Sequence, residues 1–167
     1  MLTKVEIRPI VGTPLEINTV DGSGNNLYPL HEFDIETALD NPSYKKMAAA
    51  GEWESFGYPD AMTIYGEGDI LGIGGTDAIR AASYVTQRIA LVNALLPEMG
   101  LLTSRIHAIL RIRMDGMTED ADARVRVTQQ SVPLAAMEGA RSSFRFTMKS
   151  FVPVFIGVSS SNPYLLG

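Results

Sequence analysis

Three segments in the second half of the chain alternate apolar and polar residues with a period of two. They run roughly Ile106–Met114, Ala121–Gln130 and Ser142–Phe151. Ile106, Ala108, Leu110, Ile112 and Met114 fall on one face of the first, Ala123, Val125 and Val127 on one face of the second, and Phe144, Phe146 and Met148 on one face of the third. That alternation predicts antiparallel strands with one buried and one polar face. Asp115-Gly116 between the first two is a hairpin turn signal. The polar face is rich in arginine: Arg111, Arg113, Arg124, Arg126 and Arg145. These five are candidate subunit-interface residues, expected to meet acidic groups of an adjacent copy. His107 shares their face and reads as an ordinary surface or interface residue.

Upstream, Ala61–Tyr65 reads as a strand, and five glycines follow between Gly66 and Gly75. They predict a sharp strand-to-helix corner with close packing. Thr76 and Asp77 open a helix to about Leu96. On a helical wheel, Ala81, Tyr84, Val85, Arg88, Ile89, Leu91, Val92, Leu95 and Leu96 share one broad arc. Arg88 lies inside it, and an unpaired buried guanidinium is very costly, so it is expected in a structural ion pair. The plan is α+β, mainly antiparallel β, with one long helix over about 77–96.

The first 60 residues form two short strands around Val5–Ile7 and Leu15–Ile17, a loop at Asp21–Asn26 and an edge strand at Leu27–Ile35. Asn41 and Pro42 read as the start of a short helix, Ser43–Ala50, stopped by Gly51. Trp53, the one tryptophan, stands between Glu52 and Glu54. With Phe56 and Tyr58 it either anchors this segment on a neighbouring subunit or pins a long connection to its own domain. Residues 157–167 read as a C-terminal arm. The organisation expected is one structural domain: acidic strands, loop and short helix over 1–60, a β/helix core over 61–156, and the arm.

Residues 1–60 carry ten acids and four bases, and residues 61–167 nine acids and ten bases. An acidic chain argues against a dedicated duplex-DNA reader, which needs a basic footprint. Acidic residues of one copy could meet basic strands of another, although an ordinary soluble surface explains the balance as well. The 167 residues include no cysteine, which removes disulfides, thiolate metal sites and cysteine nucleophiles, and fits a reducing compartment. No apolar run reaches the ~20 residues of a membrane span. The start, Met1–Ile7, alternates as a strand does and lacks a signal-peptide pattern. A soluble, not conventionally secreted product is expected.

Catalytic patterns fit poorly. Gly66, Gly68 and Gly72 miss the spacing of a dinucleotide-binding loop, so no cofactor is expected. Asp115, Glu119, Asp120 and Asp122 do not match a calcium loop and read as a solvated hairpin tip. His31 and His107, without cysteine, make no metal-ligand spacing, and no Gly-x-Ser-x-Gly elbow is present. No metal site and no catalytic residues are expected.

The order of these elements resembles a known family. Met62-Thr-Ile-Tyr-Gly-Glu-Gly-Asp-Ile-Leu-Gly72, then Ala82–Leu91 with Arg88, then the arginine-rich strands, is similar to the N-terminal ring-forming domain of tailed-phage distal tail proteins, over about residues 60–156. The resemblance implies a β-sandwich or split barrel flanked by the helix. It implies a non-enzymatic virion subunit of a hexameric ring, in a tail tip or baseplate, joining tube to hub. Other tail or baseplate proteins would be its partners and DNA only a transient cargo of the lumen, with assembly in the host cytoplasm. A tail-tube or tube-terminating subunit is the alternative within that class. Outside it stand a small ligand-binding or enzymatic α+β domain using the glycine corner, and a nucleic-acid module using the basic strand face.

Overall fold

The computed structural model describes residues 2–40, 43–45, 52–54, 58–96, 107–134, 140–150 and 152–164. The chain runs β1 (Leu2–Pro9), β2 (Leu15–Ile17), β3 (Leu30–Asp40), β4 (Ser43–Lys45), β5 (Glu52–Glu54), β6 (Tyr58–Leu71), α1 (Asp77–Leu95), β7 (Ala108–Met114), β8 (Ala121–Ser131), β9 (Arg141–Ser150), β10 (Phe155–Gly157) and β11 (Pro163–Tyr164). Seven strands pair in the order β2-β1-β7-β8-β9-β6-β3, every pair antiparallel.

β8 is the corner of the sheet. Its first half, Ala121–Val125, pairs with β7, and its second half, from Arg126, pairs with β9. A register shift between Val127 and Gln129 accompanies the change. A strand that serves two sheets in this way lets them fold over a shared core. Val5, Ile7, Leu110, Ile112 and Val125 come from one part, Met62, Ile64, Phe144, Phe146 and Met148 from the other, and all belong to one buried cluster. The sheet does not close on itself, so the architecture is an α+β sandwich, as the sequence and the resemblance imply.

Helix α1 begins at Thr76, whose hydroxyl accepts the Ile79 amide. It packs against β1, β2 and β6 through Tyr84, Leu91, Ala94 and Leu95. Tyrosines fix it at both flanks. The Tyr28 hydroxyl lies 2.7 Å from Gln87 Oε1, and Tyr84 shares a 2.8 Å hydrogen bond with Ser142. The apolar arc is narrower than the wheel implies: Val85, Ile89 and Leu96 are about half exposed. The wheel counts hydrophobicity, whereas the sheet covers only the stripe it can reach.

The glycine corner is redrawn. Gly66 and Gly68 lie inside β6, directly opposite Phe146 and Phe144. A Cβ at Gly66 would come within 2.3 Å of the Phe146 ring, and one at Gly68 within 2.4 Å of the Pro29 carbonyl oxygen. The bare backbone leaves room for two stacked phenylalanines with ring centroids 6.3 Å apart. The turn into α1 is confined to residues 72–76.

The expected helix over 43–50 is contradicted where it can be seen. Ser43–Lys45 is a strand paired with Glu52–Glu54, Tyr44 standing opposite Trp53; residues 46–50 lie outside the described residues. One isolated turn or two of helix is marginal, and backbone pairing to the Trp53 segment displaces it. The edge strand also runs later than expected, Leu30–Asp40, because its partner β6 extends to Tyr58. Phe56 lies outside the described residues.

Candidate assembly surface

Outward-facing residues of β1, β7 and β8 form a charged lattice. The β7–β8 hairpin sets Arg111 opposite Asp122 and Ile109 opposite Arg124. Arg111 donates through Nε and Nη2 to the two carboxylate oxygens of Asp122 at 2.8 and 2.9 Å, a two-pronged geometry that holds a carboxylate firmly. That contact raises the arginine's already high pKa. Arg113 Nε lies 2.7 Å from Asp120, which also receives Lys4 Nζ at 3.2 Å. Lys4 and Arg8 flank the nearly buried Glu6 at 3.3 and 3.4 Å.

Three of the five candidate arginines therefore meet carboxylates inside their own chain. Besides Arg111 and Arg113, Arg145 pairs with Glu67 at 2.8 Å. Tyr65 donates to the same carboxylate at 2.6 Å, and the two contacts hold the Glu67 carboxyl below the usual range. Arg124 and Arg126 have no ion-pair partner among the described residues. Arg88 is partly buried, and its Nε donates to the Pro133 carbonyl oxygen at 2.7 Å, tying α1 to the β8–β9 connection. Trp53 is placed at the centre of β5. His107, expected as a surface or interface residue, is buried within the chain, its amide donating to the Val125 carbonyl of β8.

The acidic hairpin tip has definite work. Asp120 and Asp122 neutralise arginines, while Glu119 reaches the C-terminal segment, accepting the amides of Ser159 and Ser160 and the Ser160 and Tyr164 hydroxyls. Residues 157–164 consequently do not project as an arm. β10 pairs with β8, placing Ile156 opposite Asp122, and β11 pairs with β10. Phe155 is fully buried beneath them.

Hydrogen bonds from Ser160, then from the Ser159 amide, hold the Glu119 carboxyl below its usual range. A carboxyl lowered by folding stabilises fully above its unfolded pKa of about 4.3 and loses that contribution as pH falls through the folded value. Glu119→Gln is expected to lower the melting temperature at pH 7, with the gap to wild type closing below about pH 4. Thermal melts of both proteins from pH 3 to 7 measure this.

The buried carboxylate of Asp69 on β6 receives His31 Nε2 at 2.6 Å and the Arg141 guanidinium. Burial alone would raise its pKa, but the two donors outweigh burial and hold it below the usual range. His31, at the start of β3, thus hydrogen-bonds a carboxylate that is also paired with Arg141. Among the described residues no three His, Asp or Glu side chains gather in a metal-binding arrangement.

Two apolar-walled hollows open on the surface. One of about 740 Å³ lies between the β1–β2 turn and the outer flank of α1, with Val11, Leu15, Ile89 and Leu96 in its wall. Another of about 440 Å³ opens over Ile109, Ala123 and Arg124, bordered by Val152, Val154 and Ile156. It sits where β9 has left β8 and β10 has not yet joined it. Exposed apolar residues beside an arginine are a composition found at protein interfaces.

This architecture is shared with a solved assembly. A chain of the phage p2 baseplate, in its activated conformation with Sr, superposes over 87% of this chain and 43% of its own, with a TM-score of 0.54 and 8% identity. The fold is that of part of this baseplate chain. The Dit protein (gp 19.1) of phage SPP1 aligns over 80% of this chain and 49% of its own, with a TM-score of 0.46 and 9% identity. A chain from the tail of an empty gene transfer agent particle with C6 symmetry aligns over 94% and 96%, with a TM-score of 0.42 and 10% identity. The chain thus spans about half or less of the length of the first two. No protein-family model and no curated protein sequence matches it.

Proposed function

We propose that this chain is a structural, non-enzymatic subunit of a bacteriophage tail tip or baseplate. Six copies would form a ring joining the tail tube to the hub, with a lumen through which DNA passes. The observation that carries this reading is the fold shared with the p2 baseplate chain over 87% of the residues. Arg124 and Arg126, which meet no carboxylate among the described residues, and the apolar hollow beside Arg124 support self-association. The ring would assemble in the host cytoplasm and remain in the virion with other tail proteins.

Light scattering of the purified chain tests the reading. A discrete species near six times the 18.1 kDa protomer mass is expected, seen as single rings by electron microscopy. Rings that stack into long tubes would make this a tube subunit instead. A protein that stays monomeric at high concentration would overturn the ring.

A further inference from the structure

The outer face of β3, β6, β9 and β8 is electrically bipolar. Glu36 stands opposite Thr63, Thr63 opposite Lys149, and Lys149 opposite Arg126, so one straight row runs from an acid on β3, the last of the described strands in the sheet order, to bases at the corner. Directly paired residues share a face of the sheet. Glu32, Asp34 and Glu36 alternate along the outer side of β3, all exposed. Asp34 and Glu36 have no cation within hydrogen-bonding distance among the described residues. The hollow beside them, about 260 Å³, is lined by Glu32, Asp34, Glu36, Thr63, Tyr65 and Thr147. Arg124 is exposed and Arg126 partly so, and neither meets a carboxylate among the described residues.

The two strips cannot satisfy each other within one chain. Three strand spacings separate Glu36 from Arg126, about 14 Å at ~4.8 Å per strand. We infer that the acidic edge strand β3 of one copy docks on the Arg124–Arg126 corner of the next, head to tail. This rests on the ring reading and identifies which surfaces would meet. The acid-lined hollow has the size and charge to take a guanidinium, with the Tyr65 ring beside it. Two β3 edges would repel, so the strip disfavours a symmetric edge-to-edge dimer and selects a basic neighbour. An interface joining unlike surfaces propagates, and closes into a ring when its rotation permits.

Charge reversal in trans tests the pairing. Variant one carries Arg124→Glu and Arg126→Glu; variant two carries Asp34→Lys and Glu36→Lys. All four positions lie on the outer face, so circular dichroism and melting should report folded proteins. Each variant alone is expected to remain monomeric by light scattering, and a 1:1 mixture to recover the wild-type mass. Raising salt should weaken wild-type assembly. Cysteine offers a second readout because the chain has none of its own. Glu36→Cys and Arg126→Cys in one chain should oxidise to intermolecular ladders, their ~14 Å separation excluding an internal bridge. Variants that assemble alone as wild type does, or a folded mixture that stays monomeric, would overturn this pairing while leaving the ring intact. A monomeric wild type would remove the ring reading and this pairing with it.

Discussion

Phe146→Ala is expected to cost about 3–5 kcal/mol, the range for emptying a fully buried aromatic site. The side chain is wholly buried and lies over the bare backbone of Gly66. The reciprocal change is as informative. Gly66→Ala forces a methyl into the ring, and overpacking of this kind costs about 1–3 kcal/mol or more. If the glycine exists to seat that ring, Phe146→Leu in the Gly66→Ala background should recover part of the loss. Urea denaturation of the four proteins in a double-mutant cycle measures the coupling. Additive effects would mean that the ring and the glycine are unrelated. Gly75→Ala is the control, since a Cβ there meets nothing within 4 Å.

Phe155→Ala should cost about 3–5 kcal/mol for the same reason, although it lies in a segment whose sequence reads as a tail. The residue is fully buried, and beyond it β10 is bonded to β8 and β11. Hydrogen exchange separates a docked segment from a free arm. The amides of Gly157 and Val158 donate to Asn162 and Asp120 at 2.8 and 2.9 Å, so they should be protected in wild type and exchange faster in Phe155→Ala. Rapid exchange at both in the wild-type protein would contradict docking. The segment's position also matters for assembly, because Val152 and Ile156 border the hollow beside Arg124.

The strands were legible wherever one face is buried. Leu110 and Ile112, Ala123 and Val125, and Phe144 and Phe146 all point inward as their alternation requires. The arginine partners were within reach of the same reasoning. A two-residue turn at Asp115-Gly116 would set Arg111 opposite an acid, Asp120, whereas the longer 115–120 connection sets it opposite Asp122 and leaves Arg113 2.7 Å from Asp120. Composition alone counts arginines on a face and passes over the acids interleaved with them. Glu67 was harder to foresee as the partner of Arg145, since 78 residues separate them and the contact depends on β6 lying beside β9.

The Ser43–Lys45 strand and the docked tail failed to show for a common reason. Both are short, and neither carries enough periodic residues to reveal its state. Pairing with a distant segment decided each one, and long-range pairing overrides weak local preference. Glu119, which fastens the tail, reads in sequence as one more acid at a solvated turn.

Local patterning by itself determined the β-rich class, the helix with its Thr76 cap and the inward faces of the C-terminal strands, because period and capping chemistry depend only on near neighbours. Only the tertiary structure decided which charges stay unpaired. Whether an arginine finds a carboxylate depends on strand order, and that order leaves Glu36 at one end of a row and Arg126 at the other. Two charges held three strands apart on a rigid sheet cannot meet, so the fold turns a balanced local composition into a face with two poles.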